Sequence, residues 1–273
     1  MANVVYNSYV SDALIYNHTL RVALSPGNGE IHSHDVYEML FVKAGDVSYI
    51  CGGKTYKLRK HSLVLSRPAE LHSIYVDSLC DYNRYDILFD EKHLPESLRD
   101  KIRSGIDVVS FEGNPRVIDL FSKMDFYAEN MEGEELGVLL FSLVQEVCFN
   151  LTMSNTRIVG STANTVVNRA LHYIEDNLTT LESINELANE LYVTKSHLHH
   201  LFKEHLSVSP KQYLLSKRLT LAQKAIYSGM RATQAAVEFG FKDYSSFYRD
   251  FKKYFGYSPS DVGKVKIPRQ IKS

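Results

Sequence analysis

The segment IHSHDVYEML, residues 31–40, places two imidazoles two residues apart, at His32 and His34, and a carboxylate four residues further on, at Glu38. If residues 32–42 form one strand, His32, His34, Glu38, Leu40 and Val42 share parity and therefore one face, because side chains alternate across a strand. Two imidazoles and a carboxylate on one face can hold a divalent metal such as Zn²⁺, Mn²⁺, Fe²⁺ or Ni²⁺. The same groups can hydrogen-bond an organic ligand, since a carboxylate accepts and an imidazole both donates and accepts. The third reading is a set of polar residues satisfied within the fold. The residue types leave all three open.

A second concentration of chemistry lies in the other half of the chain. SINELANELYVTKSHLHHLFKEHLSVSP and RATQAAVEFGFKDYSSFYRDFKKYFGYSP resemble each other at a spacing of about 48–49 residues. Each reads as a short helix, a tight turn, a second helix ending in Phe-Lys and a closing Ser-Pro. Ser183 and Glu186 form a capping pair at the first start, and Thr194 and Asp243 cap the two second helices. Leu198, Leu201 and Phe202 make one buried stripe and Phe247 and Phe251 the other. That leaves Lys195, Ser196, His199, His200 and Lys203 exposed on the first, and Tyr244, Ser245, Ser246, Tyr248, Arg249, Lys252 and Lys253 on the second. Helix, turn and helix is a plan that presents its second helix to the major groove. Arginine reads guanine bidentately, serine contacts base edges and lysine neutralises phosphate. A lone helix of this kind would be a solvated face; a duplicated one argues for DNA.

The rest of the chain must position these two sets. Its 273 residues suggest two domains, and 44% hydrophobic and 23% charged residues are ordinary globular usage. The net charge of −1 hides a split: residues 161–273 carry 16 lysines and arginines against 10 acids, and residues 1–160 carry 15 against 22. Cys51, Cys80 and Cys148 are odd in number and widely spaced, which fits reduced thiols in a cytoplasmic protein. No basic leader with an apolar run opens the sequence, and no apolar stretch reads as long enough to span a bilayer. EMLFVKAG, VSYICGG, KTYKL, SLVLSRP and YDILF read as short strands of a small barrel or sandwich, with GGK as a hairpin turn. Residues 116–130 and 134–153 have helical spacing, and the second is apolar on nearly every side, as a helix packed on two surfaces would be. Residues 154–165 are small and polar and read as linker. His18, His61 and His93 look like isolated surface residues, and the first 18 residues could fold over a pocket.

The two repeated units and the helix PKQYLLSKRLTLAQKAIYS between them resemble the DNA-binding domain of the AraC/XylS family of bacterial transcription regulators, over residues 166–264. The GF…F…FKKYFG.SP string is the most specific mark. The resemblance implies an α+β multidomain protein: a cupin-like effector-binding β-barrel (1–95), a helical dimerisation segment (96–155), a linker (156–165) and an all-α domain of two helix-turn-helix units (166–273). It implies Ser196, His199, His200, Tyr244, Ser245, Ser246 and Arg249 as base-facing residues. The HSH…E…G string is also similar to cupin sensor domains, and His72 falls near the last metal-ligand place of a metal cupin, completing a candidate set of His32, His34, Glu38 and His72.

The family implies an organic effector, a sugar among the candidates. Tyr37, Tyr49, Arg67 and Tyr85 are further candidate pocket contacts, Tyr37 having the wrong parity for the inner face of an unbroken strand. A divalent metal is the alternative, and no cofactor is required. Partners would be double-stranded DNA, the effector, a second copy of the chain and, for an activator, RNA polymerase; no enzyme activity and no membrane are expected. The rival readings are a metal-dependent cupin enzyme or metal sensor, and a regulator controlled by a protein partner. Departures from the family are Ser207 where glycine is usual, SDVGK after the last Ser-Pro, and Arg231, Ala232 and Ala235 at the start of the second unit, which predict a less stable second unit.

Overall fold

The computed structural model describes residues 2–29, 31–68, 70–103, 108–162, 165–206 and 208–263. Ser207 and residues 264–273 lie outside them. The strands are β1 (Ala2–Val10), β2 (Leu14–Leu24), β3 (Gly27–Asn28), β4 (Tyr37–Ala44), β5 (Val47–Cys51), β6 (Lys54–Leu58), β7 (Ser62–Ser66), β8 (His72–Val76), β9 (Cys80–Phe89), β10 (Val108–Ser110) and β11 (Ser161–Thr162). They form two antiparallel sheets, ordered β1-β2-β9-β4-β7-β10 and β11-β6-β5-β8-β3. The central strands β4 and β7 of the larger sheet are buried on both faces, as their near-continuous apolar runs require. Leu40, Val42, Val64 and Tyr82 of the larger sheet meet Val47, Tyr49, Leu58 and Val76 of the smaller one in the interior.

The opposite face of the larger sheet carries Tyr16, Met39, Phe41, Tyr85 and Ile87. It packs on α1 (Glu96–Arg103), α2 (Pro115–Asn130) and α3 (Gly133–Met153). The Phe41 and Phe121 rings stack at 3.9 Å. By length and composition α3 could cross a bilayer, contrary to the sequence reading, but Leu136, Leu140, Val144, Val147, Cys148 and Leu151 are buried in this core. Val138, Phe149 and Met153 remain exposed on its other side.

Three sequence expectations change. The N-terminal arm is no lid: it is edge strand β1, paired with β2 from Ala2↔Val22 to Val10↔Ile15. His18 is buried, not on the surface; its Nδ1 lies 2.9 Å from Asp125 on α2. Asp125 also accepts from Asn7 Nδ2 (2.8 Å), Tyr16 (2.8 Å) and Tyr85 (2.6 Å), tying β1, β2 and β9 to the helices. The 156–165 segment is held to the sheets, with Arg157 bridging Val109 and β11 pairing with β6.

The second half is helical: α4 (Thr165–Asp176), α5 (Ile184–Glu190), α6 (Lys195–Leu206), α7 (Pro210–Tyr227), α8 (Ala232–Glu238) and α9 (Tyr244–Phe255). α5–α6 and α8–α9 are the two repeated units, and α7 joins them. The caps fall where expected: Ser183, Thr194 and Asp243 accept from the backbone N–H of Glu186, His197 and Ser246. Glu186 returns its bond to the N–H of Glu182 instead of Ser183. Arg218, midway along α7, donates to the carbonyls of Leu178 (2.8 Å), Leu181 (2.8 Å) and Gly240 (3.1 Å), bridging both units.

Candidate ligand chamber and nucleic-acid interface

β4 begins at Tyr37, so residues 31–36 approach the barrel as a separate strap, not as one continuous strand. His32 forms a two-way backbone bridge with His72 on β8, at 3.0 and 2.9 Å. That pairing closes the barrel's end and brings His32, His34, Glu38 and His72 together. Their ligand atoms all lie within 4.8 Å of one another. His72 Nε2 is 2.6 Å from Glu38 Oε2 and His34 Nε2 is 3.6 Å from the same oxygen. The other nitrogen of His72, Nδ1, donates to the Glu70 carbonyl at 2.9 Å, which turns Nε2 inward. His72 and Glu38 are buried, His34 is half-buried, and His32 stands exposed at the rim.

Burial sets the charges. It lowers the His34 imidazole to about 4 against the pull of Glu38, with His72 and His32 adding to the fall, so this ring is neutral. Burial alone would raise Glu38, but His72, by charge and hydrogen bond, and then His34 and His32 hold its carboxyl well below the usual range. Burial would lower His72, and Glu38 overcomes it, so that imidazole is raised.

The other candidates divide. Tyr49 borders the cluster, its ring 5.8 Å from that of His72 and its hydroxyl 3.0 Å from Ser66 Oγ. Arg67 is turned to Glu70 (3.0 Å) and the Ile102 carbonyl (3.3 Å). Tyr85 is not in the chamber: strand alternation points it out of the barrel to Asp125.

The same alternation aims Tyr82, Arg84 and Asp86 of β9 inward, with Asn17 of β2 opposite Asp86. Burial and the neighbouring Glu38 raise the Asp86 carboxyl, with Arg84 opposing. Asn17 Nδ2, Tyr82 Oη, Arg84 Nε and Asp86 Oδ1 are buried without a hydrogen-bond partner. The sequence reading missed this wall, although YNRYDIL shows polar residues at every second place.

The strap also reaches the helical half. Ile31 packs with Ile50 of β5 and Leu71, just before β8, against the core of α4–α6. Ser33 Oγ lies 3.2 Å from Thr220 Oγ1 on α7. The Tyr254 phenol of α9 is raised by burial, with Ser33, Thr220 and Ser216 around its hydroxyl lowering it. Asp35 lines a crevice with Pro68, Thr220, Gln223, Lys224, Tyr227 and Val262.

On α6, Lys195, Ser196, His199, His200 and Lys203 are exposed, and Leu198, Leu201 and Phe202 buried. On α9, Tyr244, Ser245, Tyr248, Arg249, Lys252 and Lys253 are exposed, with Ser246 half-buried. Arg249 Nη2 donates to Ser246 Oγ at 3.2 Å, so two of the expected base contacts are joined at the start. The tight turns correspond too: Tyr192 and Gly240 both take positive φ, at 57° and 76°.

Comparison with known proteins gives this arrangement a family. A model of the AraC-like ligand binding domain matches residues 28–123, and a helix-turn-helix domain model matches residues 187–264. The uncharacterized HTH-type transcriptional regulator YfiF of Bacillus subtilis is 22% identical over 94% of this chain and 87% of its own. The HTH-type transcriptional activator RhaS of Salmonella arizonae is 22% identical, covering 87% and 89%. The raffinose operon regulatory protein RafR of Pediococcus pentosaceus is 32% identical over 46% of this chain and 45% of its own. Among solved structures, apo ToxT of Vibrio cholerae aligns at 13% identity and a TM-score of 0.41, covering 90% and 96%. The chain is a DNA-binding transcription regulator of the AraC/XylS family, with an N-terminal ligand-binding domain and a C-terminal pair of helix-turn-helix units.

Proposed function

We infer that the barrel interior is the effector chamber, and that its state controls promoter binding by α6 and α9. The observation that carries this is the inward polar wall of Asn17, Tyr82, Arg84 and Asp86: Arg84 Nη2 reaches Asp86 Oδ2 at 3.5 Å, while Asn17 Nδ2, Tyr82 Oη, Arg84 Nε and Asp86 Oδ1 are buried and make no hydrogen bond. Unpaired buried polar groups are costly, and a ligand rich in hydroxyl or carboxylate groups would satisfy them. A sugar is the first class to test. The protein acts by binding and not by catalysis, in the cytoplasm, where its cysteines remain outside disulfides.

The DNA contacts are those exposed on the two recognition helices: Lys195, Ser196, His199, His200 and Lys203, then Tyr244, Ser245, Ser246, Arg249, Lys252 and Lys253. A homodimer would use the exposed side of α2 and α3, where Phe126, Val138, Phe149 and Met153 lie open. An activator of this design would contact RNA polymerase.

The test is selection of a binding site from a random duplex library, followed by titration of sugars and small acids. A bipartite site whose affinity shifts with one compound class supports the reading. Arg249→Ala should cost about 1–3 kcal/mol of specific binding and relax one base position. Failure to select any site defeats the DNA claim. Indifference to every compound, with Arg84→Ala equally inert, defeats the chamber.

A further inference from the structure

We propose that His32, His34, Glu38 and His72 form a site for one divalent first-row transition metal, and that the strap 31–35 reports its occupancy to the DNA-binding half. This deepens the chamber reading and rests on it: the metal would be a resident of the effector domain.

The donor set fits such an ion. Three imidazoles and a carboxylate from β8, the strap and β4 converge with all ligand atoms within 4.8 Å. Mixed nitrogen and oxygen donors suit Zn²⁺, Mn²⁺, Fe²⁺ or Ni²⁺ and not Mg²⁺ or Ca²⁺, which take oxygen. His72 is already oriented as a metal-bound histidine is, with Nδ1–H given to the Glu70 carbonyl and Nε2 aimed at the cluster. His34 Nε2 is buried and makes no hydrogen bond. A cation would draw the inward nitrogens and the Glu38 carboxylate onto one charge. The exposed His32 leaves an entry at the rim.

The strap gives the site a second consequence. Its even residues, His32 and His34, belong to the cluster. Its odd residues, Ile31, Ser33 and Asp35, meet the helical half: the α4–α6 core, Thr220 on α7, and the crevice beside Tyr227. Ligation pins the even side chains, and five consecutive residues leave little slack between them and the odd ones. Metal occupancy therefore biases where α7 and α9 sit against the barrel.

The experiment uses the full chain stripped with a chelator, then dialysed against Zn²⁺, Mn²⁺, Fe²⁺ or Ni²⁺ singly, with bound metal counted by mass spectrometry. The expected result is one equivalent of at least one metal, lost in Glu38→Gln and separately in His34→Gln, with the fold of both variants checked by circular dichroism. No uptake overturns the site; uptake by both variants equal to that of the parent chain overturns it too, and places the metal on other residues, surface His199 and His200 among them.

Metal-loaded and stripped protein should differ about fivefold or more in affinity for the selected duplex, the usual scale of coupling between sites. Ile31→Ala with Ser33→Ala should keep the equivalent and lose that difference. Retention of the full difference overturns the strap. A chain that binds no DNA in either state defeats the regulator reading and leaves the metal count standing; one that binds DNA and takes no metal defeats the site alone.

Discussion

Arg218→Ala is the substitution with the clearest expected consequence. The guanidinium holds three backbone carbonyls, those of Leu178 and Leu181 beside the first unit and of Gly240 in the turn of the second. A hydrogen bond from a charged donor contributes roughly 1.5–3 kcal/mol when buried. Arg218 is only half-buried, so water replaces part of each bond, and about 1 kcal/mol per carbonyl is the better figure. The loss should be near 3 kcal/mol, equal to a factor of roughly one hundred in local opening. It should appear in both units, because the side chain belongs to both. Native-state hydrogen exchange on the full chain reads this directly: amides of α5–α6 and α8–α9 should lose about two decades of protection together. Arg218→Lys should restore little, since an ammonium lacks the planar fork that spans three acceptors. Affinity for a bipartite duplex should fall more than affinity for either half alone. If only one unit loosens, or exchange changes less than threefold, Arg218 does not couple the units and the reasoning fails.

Asp125 bears on pH dependence. Burial opposes its charge, yet hydrogen bonds from His18, Tyr85, Asn7 and Tyr16 bring its carboxyl down to about 2. The folded value lies below the unfolded one near 3.9, so its roughly 2 kcal/mol is present above pH ~4 and lost as pH falls toward 2. Asp125→Asn should flatten that acid limb in a denaturant series, and an unchanged limb would sink the assignment. Tyr192 holds φ at 57° in a turn where the other unit has glycine, and its side chain is exposed. Tyr192→Gly should therefore raise stability by about 1 kcal/mol; a lower urea midpoint would show that the ring matters more than the backbone strain. Exchange in the wild-type chain should be faster across Ala232–Phe255 than across Ile184–Leu206. α8 has Arg231 at its N-cap with no side-chain cap bond and buries only Ala235 and Ala236, whereas α5 is capped by Ser183 and buries Leu187 and Ala188. Equal protection in the two units would contradict this.

Local pattern made much of the fold legible. α2 and α3 lie within a residue of their sequence spans because apolar spacing and the Asn114–Pro115 start are local signals. The capped helices of the repeated units are local for the same reason. Parity also predicted that Glu38, Leu40 and Val42 share a face. What escaped is set by pairings between distant strands. Tyr85 read as a chamber residue because the register of β9 against β4 was unknown; Phe41↔Tyr85 and Leu40↔Asp86 place it outside and Asp86 inside. His18 read as isolated because its acceptor, Asp125, lies 107 residues away. Arg218 carried no signal of its own in the sequence, since the carbonyls it serves belong to the ends of other elements.

The docked sensor does not cover the DNA-reading faces. Ile50 of β5 and Leu71, just before β8, are buried with Leu171 of α4 and Leu187 and Phe202 of the first unit. Separating them would cost on the order of 1.5–3 kcal/mol for each large side chain returned to water. Lys195, Ser196, His199, His200, Lys203 and Arg249 are nevertheless exposed in this docked state. In this docked state the barrel therefore leaves both recognition helices open. The first unit is fastened to the barrel by an apolar core, while the second meets the strap mainly through Ser33, Thr220 and Tyr254. Polar contacts of that kind shift at much lower cost than a buried apolar interface. Under the chamber reading proposed above, a change there would act where resistance is least, on the placement of α7 and α9 relative to α6. For a protein that must set two helices into one stretch of duplex, that placement is the quantity affinity depends on.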